Sequence, residues 1–476
     1  MSPAPWDSAP SQDIFFVLVT GANSGIGFGI AERLIDEFLT TRSLTAHLVL
    51  IPTTRSEKKS ALTVGGLREH AKRFASTSEA LRSRAGPNYD PKDTTRRVHV
   101  LSIQLDLCKF TSIRQAADQL VGGTLTSYSS DDHFESLVDV RIPRLDAVIF
   151  NAGIGGWTGL NWPKVFHNIF TAGLIQATTW PTFKASMAGH LVKPLSSTGG
   201  IGASEVMGEV FCANVFGHYL FAHYLLPLLS RKSNSSGSLA PGRIIWESSI
   251  EPVWENISLD DFQAIKSRAA YESTKRLTDI LSLTATLPGS QPYVQSFLQV
   301  KARESPEKDA TIPPKQYLIH PGVVQTTLFP LNAFLFFWYR VVLYISRWLG
   351  SPWHNITPYN GACAPVWLAL EQQEALDAAG AELIKWGSST DRAGNCRVKK
   401  TEVEGWGWDG RVEDRDALLR DAEKDVTRKK VGRKAGAVDL TQERRVEFEA
   451  VGAECWQEME RLREEWEARM DGLGSA

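Results

Sequence analysis

Apolar residues in the first half of the chain come in short runs bounded by turn residues, and the segments between them carry helical periodicity. The run at 14–20 is followed at once by Gly21, Gly25 and Gly27, then by Ile26, Ile30, Leu34, Ile35 and Phe38 at helical spacing. A continuous apolar run of this length reads as a strand buried on both faces, and the pattern behind it as an amphipathic helix. Further runs predict strands at 47–52, 98–105, 145–150, 243–247 and 316–319, each followed by a turn or a helical pattern. Alternation of this kind predicts an α/β fold: a Rossmann-type doubly wound parallel sheet with long insertions and a C-terminal helical extension. Right-handed crossovers then bring the carboxyl ends of the strands to one edge, where ligands bind.

Polar, breaker-rich stretches at 83–97, 124–132, 230–242 and 301–314 read as surface connections. The insertion 155–209 is rich in Trp, Phe and small residues and lies near the ligand edge. It reads either as a wall of an apolar substrate pocket or as packing alone. The segment 331–349 is strongly apolar, with Phe334, Phe336, Phe337 and Trp338, but it carries Arg340, Tyr344 and Arg347 as a polar stripe. A charge in the middle of a span is costly, so the segment predicts an in-plane helix with that stripe outward, Trp338, Trp348 and Trp353 at the interface, and a substrate entrance facing lipid. A true span and a buried core helix are the competing readings. Near the C-terminus, Phe448, Val451, Cys455, Met459, Leu462, Trp466 and Met470 recur at spacings of three and four. That stripe docks either on the chain's own core, the preferred reading, or on a partner. The expected organisation is one domain over 12–390, with insertions 83–97, 155–209 and 250–270 and the membrane-associated segment 331–349. A charged C-terminal region, 391–476, follows and includes the basic patch at 428–433.

Length alone, 476 residues, would allow two or three domains, but the ordered motifs span a single fold. A formal charge of −2 leaves no nucleic-acid footprint. Five cysteines without metal-ligand spacing predict reduced thiols facing the cytosol, with Cys108 and Cys212 as packing residues. His218, His223 and His320 lack metal-ligand spacing, so no metal is expected.

Chemistry enters with Tyr271 and Lys275, four residues apart and therefore on one helical face. A neighbouring ammonium favours the phenolate and eases proton exchange. Ser249, ending the fifth strand, could hold a substrate oxygen beside them; strand alternation lets only one of Ser248 and Ser249 face that way. The turn Thr20–Gly27, with Asn23, Ser24 and Ile26 between the glycines, stands where a strand passes into a helix. That is the context a pyrophosphate-binding turn needs. After the second strand come Thr53, Thr54, Arg55 and Ser56 with no carboxylate, so Arg55 and the hydroxyls predict a 2′-phosphate and hence NADP(H).

These elements together resemble the short-chain dehydrogenase/reductases over residues 12 to 330. Asp106 and Leu107, Asn151-Ala152-Gly153, Asn214, and Pro321-Gly322 with Thr326 occur in the order that family shows. Within it, 53–56, 161–164, 214–219 and 258–263 resemble the fungal 3-keto-steroid reductases of sterol biosynthesis and their animal relative, 17β-hydroxysteroid dehydrogenase type 7. The lengthened interval 250–270, with Trp254 and Phe262, is shared with that group and reads as a lid. The resemblance implies Tyr271 as proton donor, Lys275 on the nicotinamide ribose and Ser249 on the carbonyl oxygen. It implies Asn214 as anchor of a water linking Lys275 to solvent, Asp106 on the adenine with Leu107 beside it, and Asn151, Ala152, Gly153, Pro321, Gly322, Val324 and Thr326 along the cofactor. It implies NADPH-dependent reduction of a sterol 3-ketone to the 3β-alcohol during C-4 demethylation. The implied location is the cytosolic face of the endoplasmic reticulum membrane or lipid droplets, with other C-4 demethylation enzymes and lanosterol synthase as partners. Another lipid or carbonyl reductase, and a scaffold for other sterol enzymes, are the competing functions.

Overall fold

The computed structural model describes residues 4–195, 206–232, 239–299, 311–326, 331–414 and 431–474, with positions 416, 420 and 428. Parts of the polar connections 230–242 and 301–314, and of the basic patch 428–433, lie outside the described residues. Nine strands form one sheet: β1 (Ile14–Val19), β2 (His47–Thr54), β3 (Val98–Val100), β4 (Ile103–Gln104), β5 (Ala147–Phe150), β6 (Arg243–Glu247), β7 (Lys315–His320), β8 (Lys385–Thr390) and β9 (Cys396–Thr401). Their order is β9-β8-β7-β6-β5-β1-β2-β3, with β4 also paired to β2. Every pairing is parallel except β8 with β9. The chain reverses its direction of travel between β1 and β5, which makes that junction the switch point of a doubly wound sheet.

Alternation along the strands feeds two cores. Phe16 and Leu18 of β1, Val49 and Ile51 of β2, Val148 and Phe150 of β5, and Ile244 and Trp246 of β6 enter one of them. Their sequence neighbours Val17, Val19, Leu48, Leu50, Ala147, Ile149 and Ile245 enter the other. Both faces are thus covered, and the strands read as unbroken apolar runs for that reason.

The helices that bear on the cores and the cleft, in chain order, are α1 (Gly25–Thr41), α2 (Glu57–Thr77), α3 (Phe110–Val121), α4 (Trp162–Ala172), α5 (Gly217–Tyr224), α6 (Ala270–Thr284), α7 (Ala333–Trp348), α8 (Cys363–Leu370) and α9 (Gln442–Gly474), with shorter helices between them. Residues of α3, α5, α6 and α9 pack in the first core, and residues of α1, α2 and α8 in the second. Short elements appear where loops were expected: Pro91–Thr95 is helical, capped by Asp90, and Leu125–Ser127 pairs with Leu137–Val140.

Three expectations change. The sheet continues past residue 390 through β9, because the polar residues of β8 find buried partners. Lys385 meets Asp279 at 2.7 Å, and the Ser388 hydroxyl donates to the Gly361 carbonyl at 2.6 Å. The segment 331–349 forms α7, capped by Asn332, but its polar stripe does not face outward as one. Arg347 is buried with its guanidinium 4.8 Å from the Tyr344 ring, while Phe334, Phe337, Trp338, Ile345 and Trp348 are exposed. Trp353 is no interface anchor: it is fully buried, and its indole N–H donates to the Gly432 carbonyl at 2.7 Å. Among the described residues no helix is long and apolar enough to cross a membrane.

The C-terminal stripe docks on the chain's own core. Phe448, Cys455, Met459, Leu462, Trp466 and Met470 of α9 are buried and Val451 is half-buried. A buried charge network accompanies them. Arg463 pairs with Glu460 and Glu467 at 2.7 and 2.8 Å, and the Tyr219 hydroxyl donates to Glu460 at 2.7 Å. Trp456 packs on Tyr219 and Phe297, and its indole N–H donates to the Leu281 carbonyl of α6 at 3.1 Å. Trp456→Ala is expected to cost about 3–5 kcal/mol by cavity formation, read as a lower midpoint in chemical denaturation. A loss under about 1 kcal/mol, the range of an exposed position, would show that α9 does not support the helix beneath it.

Candidate active site

The turn after β1 is shaped by close approach. Gly21 has φ +67°, and a side chain there would lie 2.9 Å from Ala152. A side chain at Gly27 would meet Asn151 Nδ2 at 2.5 Å. Glycine is the residue that fits both places. The Thr20 hydroxyl accepts from the backbone N–H of Asn151 and Ala152 at 3.0 and 3.1 Å, and Asn151 Nδ2 donates to the Thr20 carbonyl at 2.8 Å. The ends of β1 and β5 are therefore locked together at the switch point. Ser24 precedes α1 without a side-chain cap, so the first N–H groups of the helix are available to an anion.

A cleft of about 940 Å³ runs past this turn. Thr53, Thr54, Arg55, Asp106 and Leu107 line one end, after β2 and β4. Gly21, Asn23, Ser24, Gly25, Ile26, Asn151, Ala152, Gly153 and Thr326 line the middle, and Ser249, Tyr271, Lys275, Pro321, Gly322 and Val324 line the other end. Thr20, Gly27 and Asn214 stand behind the wall rather than in it. At the first end the expected hydroxyl ligands already have protein partners. Thr53 accepts from the Gly21 N–H, Thr54 bonds Ser56 and Ser60, and Ser56 caps α2. Arg55 and Lys59 line this end as cations, and Lys109 lines the cleft beside Asp106 and Leu107.

At the other end β6 delivers Ser248 and Ser249 in opposite directions. The Ser248 hydroxyl donates to the Lys275 carbonyl at 3.1 Å, anchoring α6 to the sheet. Ser249 stands close enough to the Tyr271 phenol to ease its proton loss and accepts from the Glu251 N–H at 3.3 Å. The second serine is therefore the one that faces the cleft with Tyr271. Lys275 Nζ donates to the Glu247 carbonyl at 2.7 Å and lies 5.7 Å from the Tyr271 ring centre. Burial pushes the Tyr271 phenol well above the tyrosine range, with Glu251 adding to the effect and the Ser249 hydroxyl opposing it. Burial also draws the Lys275 ammonium down, against the pull of Glu247 and Asp279.

Asn214 departs from a plain helical setting. The segment around it is split into Glu209–Phe211, a π-turn at Cys212–Phe216, and α5. Within the π-turn the Asn214 side chain accepts from the Ile154 N–H at 2.8 Å and donates to the Ile154 carbonyl and the Thr274 hydroxyl at 3.0 and 3.1 Å. It thereby ties the β5 exit to α6 and makes no direct bond to Lys275.

Several site groups escaped sequence reasoning. The insertion 155–209 forms a hairpin, Trp157–Leu160 with Lys184–Ser186, that leans over Tyr271. Trp157 meets the Tyr271 ring edge-on at 4.7 Å. The Lys184 ammonium contacts both Glu251 and Glu272 and sits 4.2 Å above the Trp157 ring. Glu247 is buried at the cleft floor, and its Oε2 has no protein partner. Nothing in the sequence singles out Lys184, one of three lysines in the insertion. Beyond Tyr271 the cleft opens into an apolar chamber walled by Leu160, Val165 and Ile169 from the insertion and by Leu335, Trp338, Tyr339 and Val342 from α7.

No protein-family model matches the chain. The 3-keto-steroid reductase of Gibberella zeae is 52% identical over 468 residues, covering 98% of this chain and 96% of its own length. That of Aspergillus fumigatus is 41% identical over 96% and 95% of the two chains, and that of Schizosaccharomyces pombe 29% identical over 82% and 90%. Among solved structures, salutaridine reductase from Papaver somniferum superposes loosely, with 17% identity and a TM-score of 0.37 over 75% of this chain and 96% of its own. Near-complete coverage at 52% identity extends the likeness across the sheet, the cleft, the insertion and α9 alike, and the chain belongs to the fungal 3-keto-steroid reductase family.

Proposed function

We propose that this protein is an NADPH-dependent reductase of a sterol 3-ketone, yielding the 3β-alcohol during C-4 demethylation in sterol biosynthesis. One observation carries the reading: Ser249, Tyr271 and Lys275 meet where an elongated polar cleft joins an apolar chamber. The identity to relatives named 3-keto-steroid reductase supports a steroid as the ketone.

The residues present fit NADPH. The uncapped start of α1 and the glycine turn suit a pyrophosphate, and Arg55 with Lys59 suit a 2′-phosphate, since the turn after β2 has no carboxylate to accept from a free 2′-hydroxyl. Bound there, the nicotinamide supplies hydride. The protein supplies the proton. Tyr271 enters as an acid because its surroundings keep the phenol protonated, and it releases that proton to the ketone oxygen as negative charge develops. Ser249 donates a hydrogen bond to the same oxygen. The Lys275 ammonium offsets the charge left on Tyr271. Asn214 fixes α6 against the β5 exit and so holds the Tyr271 segment in register.

Reduction of 3-keto sterols with NADPH should be measurable with the purified protein, and Tyr271→Phe should lower kcat by about 10²–10⁴ while NADPH still binds. Wild-type turnover confined to non-steroid ketones would favour another carbonyl reductase, and an active Tyr271→Phe enzyme would remove Tyr271 as the acid. For the cofactor, Arg55→Asp should lower kcat/KM for NADPH by about 10- to 100-fold, the range of a lost charge-assisted hydrogen bond, with a gain for NADH. Unchanged selectivity would reassign the phosphate site.

The proposed location is a lipid surface at the endoplasmic reticulum. Phe166 and Phe170 of α4 and Phe334 and Phe337 of α7 are exposed on two helices whose other face lines the chamber, with Trp162 and Trp338 both exposed and lining it at the rim. Amphipathic helices of this kind lie in the interface without crossing it. The protein should float with phosphatidylcholine vesicles in a density gradient, and Phe170→Asp with Phe337→Asp should release it. Equal flotation of that variant would exclude this face.

A further inference from the structure

The substrate-side insertion is fastened to the loop between Ser249 and Tyr271 along its length. The Trp180 indole N–H donates to the Ile250 carbonyl at 3.0 Å, the Gly189 N–H to the Ile265 carbonyl at 2.8 Å, and the Gly208 N–H to Gln263 Oε1 at 3.0 Å. The Ser186 hydroxyl donates to the Arg268 carbonyl. At the reactive end the fastening becomes ionic. Lys184, with its side chain 5% exposed, places one ammonium between the carboxylates of Glu251 and Glu272, themselves 19% and 16% exposed.

The two carboxylates belong to the two catalytic segments. Glu251 stands two residues past Ser249 and donates its N–H to the Ser249 hydroxyl. Glu272 is the residue after Tyr271. The same ammonium lies 4.2 Å from the Trp157 ring centre and 5.1 Å from that of Tyr271, within cation–π range of both. A single side chain from the insertion thus touches the chain neighbours of the serine and the tyrosine, and the tyrosine ring itself. Burial pushes Glu251 up to about 6 against the pull of Lys184, so the contact holds a carboxylate charged that burial disfavours.

We propose that Lys184 is the positioning residue of the site, an ionic clip that fixes Ser249 and Tyr271 relative to each other and fastens the steroid-side hairpin over the phenol. The proposal rests on the ketone-reductase reading above. With the clip in place, the wall that receives the ligand and the group that protonates it move as one body. Without it, Glu251 and Glu272 face each other and the phenol with no cation between them. Like charges repel, so nothing then draws the segments carrying Ser249 and Tyr271 together at this point.

The test uses the full-length protein and the 3-keto sterol that the wild type reduces. Lys184→Met should lower kcat at least tenfold, with the Kd for NADPH from its fluorescence changed less than twofold, and Lys184→Arg should restore most of the loss. Because Glu272 acts through Lys184, Lys184→Met combined with Glu272→Gln should be no slower than Lys184→Met alone. A kcat within twofold of wild type in Lys184→Met, a loss confined to NADPH binding, or additive losses in the double variant would overturn the clip. Should Lys184→Met fail to fold, Glu272→Gln decides: kcat must fall at least threefold with NADPH binding kept. Wild-type protein that binds NADPH but reduces no ketone rejects the reductase reading instead. The clip is then judged by hydrogen–deuterium exchange of the hairpin strands, which must rise in Lys184→Met and overturns the proposal if it does not.

Discussion

The arrangement depends on how α6 is held. Every residue from Thr274 to Thr284 is buried, so this helix, which carries Tyr271 on its first turn, has no solvent-facing side over most of its length. It nonetheless carries Lys275, Arg276 and Asp279. Buried charge is tolerated only when it is paired, and each charge here reaches a different part of the fold. Asp279 meets Lys385 of β8 at 2.7 Å, and Lys275 donates to the last carbonyl of β6. Arg276 donates to the Glu404 carbonyl beyond β9 and stacks between Trp254 and Phe448. Apolar packing alone would leave the rotation of such a helix loosely specified. Charges that each have one acceptable partner fix it. The position of the phenol at the end of β6 follows from that rotation.

The same constraint accounts for the extensions on both sides of the helix. β8 exists in this sheet because Lys385 has Asp279 to meet, and α9 covers the outer side of α6 with Phe448, Cys455 and Trp456. A helix with polar residues on its inner side and apolar residues on its outer side needs a cover. The chain supplies one from its own C-terminus.

What was legible in the sequence was local. A glycine turn, a Tyr–Lys pair one helical turn apart, and apolar runs that alternate between two cores are written in consecutive residues, so the sheet from β1 to β7 follows from spacing, while the cleft positions at 106–107, 151–153 and 321–326 follow from the family resemblance. The illegible features are those whose meaning depends on a distant partner. Lys385-Trp-Gly-Ser-Ser-Thr has no apolar run and does not read as a strand, because its polar side chains become core only once Asp279 and the Gly361 carbonyl are beside them. Arg347 and Trp353 read as surface and interface residues, yet the first stacks on Tyr344 and the second reaches Gly432. Hydroxyls at 53, 54 and 56 read as anion ligands, yet they serve the turn and the cap of α2. Composition could mark the insertion 155–209 as a pocket wall. It could not mark Lys184, whose partners lie 67 residues and more away.

The insertion and α7 give the chamber a property that neither has alone. α4 turns Val165 and Ile169 inward and Phe166 and Phe170 outward, with Trp162 at the rim; α7 turns Leu335, Tyr339 and Val342 inward and Phe334 and Phe337 outward. Phe170 is 86% exposed and Phe334 69%. Large apolar patches are rare on a surface that meets only water, and here they lie on the two helices that wall the chamber. On the proposed reading this removes an energetic obstacle for a steroid. A ligand leaving an apolar phase for water loses about 25 cal/mol for each Å² of apolar surface wetted, and a chamber whose rim is itself seated in lipid receives the ligand without that exposure. The polar end of the same cleft, with Arg55 and Lys59, lies at the far side of Tyr271, where a charged cofactor can enter from water. One phenol between the two ends is what such a partition requires.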